Sequence, residues 1–131
     1  MAALETGLVQ VALGRNEAGV LTLSAVVEQL SALQSEVTPQ QADALVGWGR
    51  ALLALGRPDD AQARLIAADR FWRDFDPGNR WAGEAAFWLG HCYSALGKRN
   101  EAKQAYTRAT RILARSPLPA DAKLVQLAQR D

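Results

Sequence analysis

Apolar residues recur at intervals of three and four along almost the whole chain, which is the spacing of residues on one face of an α-helix. The stripe Val20, Leu23, Val27 and Leu30 is one example. No segment alternates apolar and polar residues as a half-buried strand does. The pattern therefore predicts an all-α protein with seven helices. These cover approximately residues 4–13, 16–34, 39–55, 58–72, 80–96, 100–114 and 120–129.

One short phrase occurs three times, namely Gly, four variable residues, and then Ala-Leu-Gly followed by Arg or Lys. The trailing glycines, Gly14, Gly56 and Gly97, are 42 and 41 residues apart. Such a period is typical of stacked helical hairpins and not of a single closed enzyme core. We expect each leading glycine to allow a close helix crossing, and each trailing glycine to end its helix in the left-handed conformation.

Polar residues predict where several helices begin and which side of the last one faces solvent. Asn16 is expected to cap the second helix, and Thr38, Pro39 and Gln41 form a start signal for the third. The last helix is predicted to be amphipathic. Its inward residues are expected to be Leu124, Val125 and Ala128, and its outward residues Asp121, Lys123 and Gln126.

The composition narrows the class of protein. Fifteen Lys and Arg against fourteen Asp and Glu leave a formal charge of +1, which disfavours nucleic acid as the principal ligand. The single cysteine excludes an internal disulfide. Glu5 and Gln10 interrupt the apolar start, which argues against a signal peptide, and no run of apolar residues is long enough to span a membrane. We therefore expect a cytoplasmic protein with no membrane partner.

The second and third copies of the phrase resemble the tetratricopeptide repeat. The residues of the second copy that carry the resemblance are Trp48, Gly49, Leu52, Gly56, Ala61, Leu65 and Ala68. Those of the third are Trp88, Leu89, Gly90, Tyr93, Gly97, Ala102, Tyr106 and Ala109. The resemblance implies a right-handed α-solenoid of three repeats, at residues 1–37, 38–78 and 79–117, with a capping helix at 118–131. The long period is similar to the subclass found in kinesin light chain and in bacterial signalling proteins.

In that family the first helix of each hairpin lines a concave groove, where extended peptides commonly lie. The resemblance therefore implies a partner-binding groove formed by Leu8, Asp43, Val46, Arg50, Leu53, Glu84, Phe87, His91 and Ser94. Arg50 and His91 each follow a repeated glycine directly. In one interpretation both side chains bind a carboxylate or carbonyl of a bound segment. In the other, Arg50 forms an ordinary ion pair with a nearby acid and His91 is simply half-exposed.

Seven aromatic residues fall between Trp48 and Trp88, and two interpretations stay open for them. They form a recognition surface, or they fill the gaps between long helices. Within this set we expect Phe87 to be exposed in the groove.

The sequence favours neither catalysis nor a cofactor. His91 and Cys92 are adjacent, so their side chains diverge by about 100° on a helix and do not form a nucleophile and base pair. One His and one Cys are too few for a recognisable metal site, and Cys92 is expected to be buried. Arg108, Arg111 and Arg115 form a basic stripe that we interpret as a solvated outer face.

These observations predict an interaction scaffold that binds a peptide or protein segment in its groove. The alternatives are a regulatory or sensor segment of a larger bacterial signalling protein, and a self-association module. The first repeat lacks a polar capping helix, so we expect it to be covered. It is covered either by a second copy in a homodimer or by an upstream domain of a longer chain.

Overall fold

A computed structural model describes residues 2–33 and 36–130, and this part of the chain is entirely helical apart from its turns. The predicted all-α class is confirmed. The helices are α1 (Ala2–Ala12), α2 (Asn16–Leu33), α3 (Pro39–Ala54), α4 (Pro58–Phe75), α5 (Arg80–Ala95), α6 (Arg99–Leu113) and α7 (Pro119–Arg130). Helix α4 continues three residues beyond its predicted end. The predicted end of the second helix at Gln34 lies outside the described residues.

The three repeated turns end their helices in the same way. Gly14, Gly56 and Gly97 have φ angles of 79°, 73° and 75°, in the left-handed region that glycine adopts without strain. The backbone N–H of the next residue donates to a carbonyl five positions earlier, as in the bond from Arg57 N to Leu52 O at 2.8 Å. These bonds satisfy carbonyls that the helix end leaves open, which confirms the predicted role of the trailing glycines.

The start of α3 also follows its prediction, whereas the start of α2 differs slightly. The Thr38 hydroxyl accepts a hydrogen bond from Gln41 N at 3.2 Å, and Pro39 is the first helical residue. Asn16, expected as a cap, is instead the first residue of α2. Assignments of helix ends commonly differ by one residue, so this shift changes no packing argument.

The chain divides into two compact units, residues 1–71 and 72–131. In the first unit α1 packs against α2 and α3, and α2 packs against α3. A Cβ added to Gly49 would lie 2.5 Å from Leu65 Cγ, so only glycine permits this approach of α3 to α4. The core of this unit includes Leu4, Val11, Leu23, Val26, Ala44 and Ala51. The division falls within α4, and the repeat boundaries given above stay a prediction.

In the second unit α5 packs along α6, and α7 contacts both of these helices. A Cβ on Gly90 would lie 2.8 Å from Cδ1 of Tyr106, so the third leading glycine also marks a close crossing. The core of this unit comprises Ala86, Phe87, Ala102, Tyr106, Ala109, Leu113 and Ala128. Within the described ranges, no helix has the length and apolar character that crossing a membrane requires.

Candidate protein-binding surfaces

The first unit presents part of the predicted groove on α3. Asp43, Arg50 and Leu53 are half-buried, and their spacing places them on one side of the helix. We call these three residues the α3 patch. Val46 lies on the same side but is only 7% exposed. Leu8 is half-buried, and its Cδ2 would be 2.7 Å from a Cβ on Gly47, so it packs α1 against α3.

Phe87 is where the second unit departs most from the sequence prediction. The side chain is 2% exposed, so the expectation that Phe87 is exposed is wrong. Its ring centroid lies 5.7 Å from that of Tyr106 and 5.0 Å from that of Trp88. The cause is the position of Phe87 between Gly83 and Gly90 on one helix face, since a Cβ on either glycine would meet α6 side chains within 3 Å. Phe87 therefore faces the crossing helix.

His91 and Ser94, by contrast, are exposed on α5, and we call them the α5 patch. The His91 ring stacks on Phe87 at 6.5 Å between centroids and lies edge-on to Trp88 at 5.7 Å. A small cavity of about 180 Å³ opens beside these three rings, and Leu127 and Arg130 of α7 complete its lining. The buried rings thus support the imidazole from one side and leave it accessible.

Asp121 of α7 is fully buried, so the prediction that it faces outward is wrong. Its carboxylate accepts two hydrogen bonds from Arg80, from Nε at 2.7 Å and from Nη2 at 2.6 Å. These bonds hold the pKa of Asp121 below its usual range, against the opposing effect of burial, and raise the pKa of Arg80. Glu84 also lies 3.6 Å from Arg80 Nη2. This predicted groove residue is therefore part of an ion-pair cluster that joins α5 to α7.

The aromatic residues differ in their exposure. Trp72 is 4% exposed and, like Phe87, is buried. Phe75 and Trp81 are 62% and 44% exposed and flank the turn between α4 and α5. The guanidinium carbon of Arg80 lies 4.3 Å from the centre of the Trp81 ring, which holds the indole in place. The exposed aromatic surface is thus confined to this end of the second unit.

A groove that the sequence analysis missed runs along α6 and the end of α7. It has a volume of about 970 Å³, and its cationic side chains are those of Arg99, Lys103, Arg111 and Arg130. The sequence signal was present, because Arg99, Lys103 and Arg111 recur at multiples of four. The basic stripe predicted from the sequence is a different set, Arg108, Arg111 and Arg115. Arg111 and Arg115 are exposed, and Arg108 is half-buried.

Cys92 is fully buried, as predicted, and it is surrounded by the packed side of α5. In the part of the chain that the structure describes, no three His, Cys, Asp or Glu side chains cluster as metal ligands do.

Comparison with known proteins agrees with the helical hairpins. A family model described as tetratricopeptide repeat matches residues 40–115, which extend from the start of α3 to just beyond α6. Comparison with curated proteins finds no match. The family model covers more than half of the chain and spans the two hairpins in which glycines sit at close crossings and at helix ends. The chain therefore belongs to the tetratricopeptide repeat family.

Proposed function

We propose that the chain is an interaction module that binds extended segments of partner proteins, with the α3 patch as a binding surface of the first unit and the α5 patch as a binding surface of the second. Tetratricopeptide repeats generally mediate protein–protein interactions, and the family is a non-catalytic scaffold. The observation that carries the proposal is the equivalence of Arg50 and His91. Each follows a glycine that is fixed by a close helix crossing, and each has a side chain that solvent reaches.

The chemistry of the two positions suits a peptide backbone or a carboxylate. Arg50 offers a planar fork of donors, and the imidazole of His91 offers a ring donor next to the rings of Phe87 and Trp88. Leu53, one turn after Arg50, supplies a half-buried apolar contact. The α3 patch therefore combines a polar anchor with an apolar contact, and beside the α5 patch Leu127, which is 37% exposed, supplies the apolar surface. Both are typical components of a peptide-binding site.

The double variant Arg50→Ala/His91→Ala is expected to lose its partner and to remain folded. Immobilised wild-type chain is used to capture proteins from the native lysate, and the captured proteins are identified by mass spectrometry. A matched control is Arg70→Ala, which removes an exposed cation from α4. A partner that is lost by the double variant and retained by the control supports the proposal. Equal capture by all three chains would refute the assignment to these patches.

Self-association is a second candidate, which the exposed apolar residues of the first unit favour. Val9 and Leu13, four residues apart, are 54% and 65% exposed, and Leu21 on α2 is 74% exposed. Apolar side chains this accessible are common at interfaces between copies. Sedimentation velocity is expected to show a dimer at high concentration that Leu21→Glu abolishes and Leu118→Glu, in the second unit, does not. A wild-type chain that stays monomeric at all concentrations would contradict this candidate.

The remaining alternative assigns the repeats to a larger bacterial signalling protein of the long-repeat subclass. The same capture experiment addresses it. A captured catalytic or DNA-binding signalling domain would favour a regulatory role over that of a general scaffold.

A further inference from the structure

The groove on α6 and α7 has an unusual charge balance. Four cationic side chains line it, and no carboxylate of the described residues does. Between residues 98 and 130 the sequence contains eight Lys or Arg and two carboxylates, Glu101 and Asp121. Asp121 is already paired with Arg80. The groove therefore has a positive potential although the whole chain has a formal charge of only +1.

Three of the four cations lie in a row on α6, in which Thr107 occupies the remaining position. Arg99, Lys103, Thr107 and Arg111 are four residues apart, so successive members are about 6 Å apart along the α6 axis and the row is about 18 Å long. In an extended peptide, alternate side chains point the same way and are about 6.6 Å apart. The four positions of the row are thus matched in spacing to every second residue of an extended segment of about seven residues.

The floor of the groove allows a peptide backbone to come close. Ala102 and Ala128 are small and buried, and the Tyr106 ring between these helices is 5% exposed. The Thr107 hydroxyl donates to Lys103 O at 2.8 Å and so rests against its own helix. The groove therefore has an apolar floor of Ala102, Tyr106 and Ala128 with cations along it.

We propose that this groove binds an extended acidic peptide with Asp or Glu at alternate positions. The proposal goes beyond the function proposed above, because the cations that it uses lie on α6 and α7, although Ser94 of the α5 patch also lines the groove. Arg99, Lys103 and Arg111 opposite alternate carboxylates supply complementary charge, and Arg130 adds a fourth cation from α7. The match of the two spacings fixes the register of the peptide. A single-stranded nucleic acid is the less favoured occupant, because no exposed aromatic ring among the lining residues is available for base stacking.

The test is fluorescence anisotropy with a labelled twelve-residue peptide of alternating Glu and Ser at about 0.15 M salt. Lys103→Glu/Arg111→Glu is expected to weaken binding by at least about ten-fold, since it puts two like charges against the ligand. The matched control Arg115→Glu/Lys123→Glu makes the same change in net charge at exposed positions outside the groove, and is expected to weaken binding by less than about three-fold. Circular dichroism confirms that each variant is folded.

Two further probes make the result decisive. A peptide with the same residues in two blocks is expected to bind more weakly than the alternating one. Arg50→Ala/His91→Ala is expected to bind the alternating peptide as the wild type does, so that this proposal and the proposed function fail independently. The proposal is overturned if the wild type does not bind, if both charge-reversal variants weaken binding equally, if the block peptide binds equally well, or if an oligonucleotide of equal charge binds more tightly.

Discussion

Replacing Phe87 with alanine is expected to lower the free energy of unfolding of the chain by about 3–5 kcal/mol. The ring is 2% exposed and lies against Tyr106 and Trp88, so its removal leaves a cavity where α5 crosses α6. The loss is measured by urea denaturation followed by circular dichroism. The variant would weaken the binding of any partner because it destabilises the second unit, and not because it removes a contact with that partner.

Phe75→Ala is the matched control, because it makes the same chemical change at a ring that is 62% exposed. We expect it to cost less than about 1 kcal/mol. If the two variants had the same free energy of unfolding, Phe87 would not be a core residue. The original expectation of an exposed ring in the groove would then have to be restored.

Asp121→Asn is expected to lower the free energy of unfolding by about 2–3 kcal/mol at pH 7. The substitution keeps the size of the side chain but leaves the Arg80 guanidinium without the buried carboxylate that accepts its two hydrogen bonds. Asp60→Asn is the control, since Asp60 forms an ion pair of 2.7 Å with Arg57 in which both side chains are about half exposed. That exposed pair is expected to contribute at most about 0.5 kcal/mol.

The stabilisation by the Asp121 carboxylate is expected to weaken at low pH. Because the pKa of Asp121 is lowered in the folded state, the unfolded chain takes up the proton first as the pH falls. The stabilisation is complete above the ordinary carboxyl pKa of about 3.9 and is lost as the pH falls through the folded-state value. The difference between wild type and Asp121→Asn should therefore shrink in acid. A difference that stayed constant from pH 7 to pH 3 would show that the ion pair does not stabilise α7.

Local signals in the sequence were sufficient to predict the helices and turns. A left-handed glycine, a Thr cap and a proline at the first helical position act within one turn, so their effect is visible without the rest of the fold. This is why Gly56, Thr38 and Pro39 behave as predicted. The leading glycines were also predictable, because their repetition marks positions that no side chain can occupy.

The errors arise where a residue's role depends on a distant helix. Phe87 belongs to a helix whose apolar residues cover more than one side, so periodicity alone did not say which side faces α6. Asp121 was assigned to solvent because an aspartate usually is exposed, and its partner Arg80 is 41 positions away. The net charge of +1 did not indicate the cationic groove either, because acidic residues elsewhere in the chain offset the basic residues of segment 98–130.

We expect recognition to reside at the variable positions directly after the repeated glycines. The most direct measurement is the dissociation constant of a purified partner segment for the wild-type chain, for Arg50→Ala/His91→Ala and for Arg70→Ala, by isothermal titration calorimetry. We expect the double variant to bind at least about ten-fold more weakly, the loss of about 1.4 kcal/mol of binding free energy, with the control unchanged. Equal dissociation constants for the three chains would contradict the account.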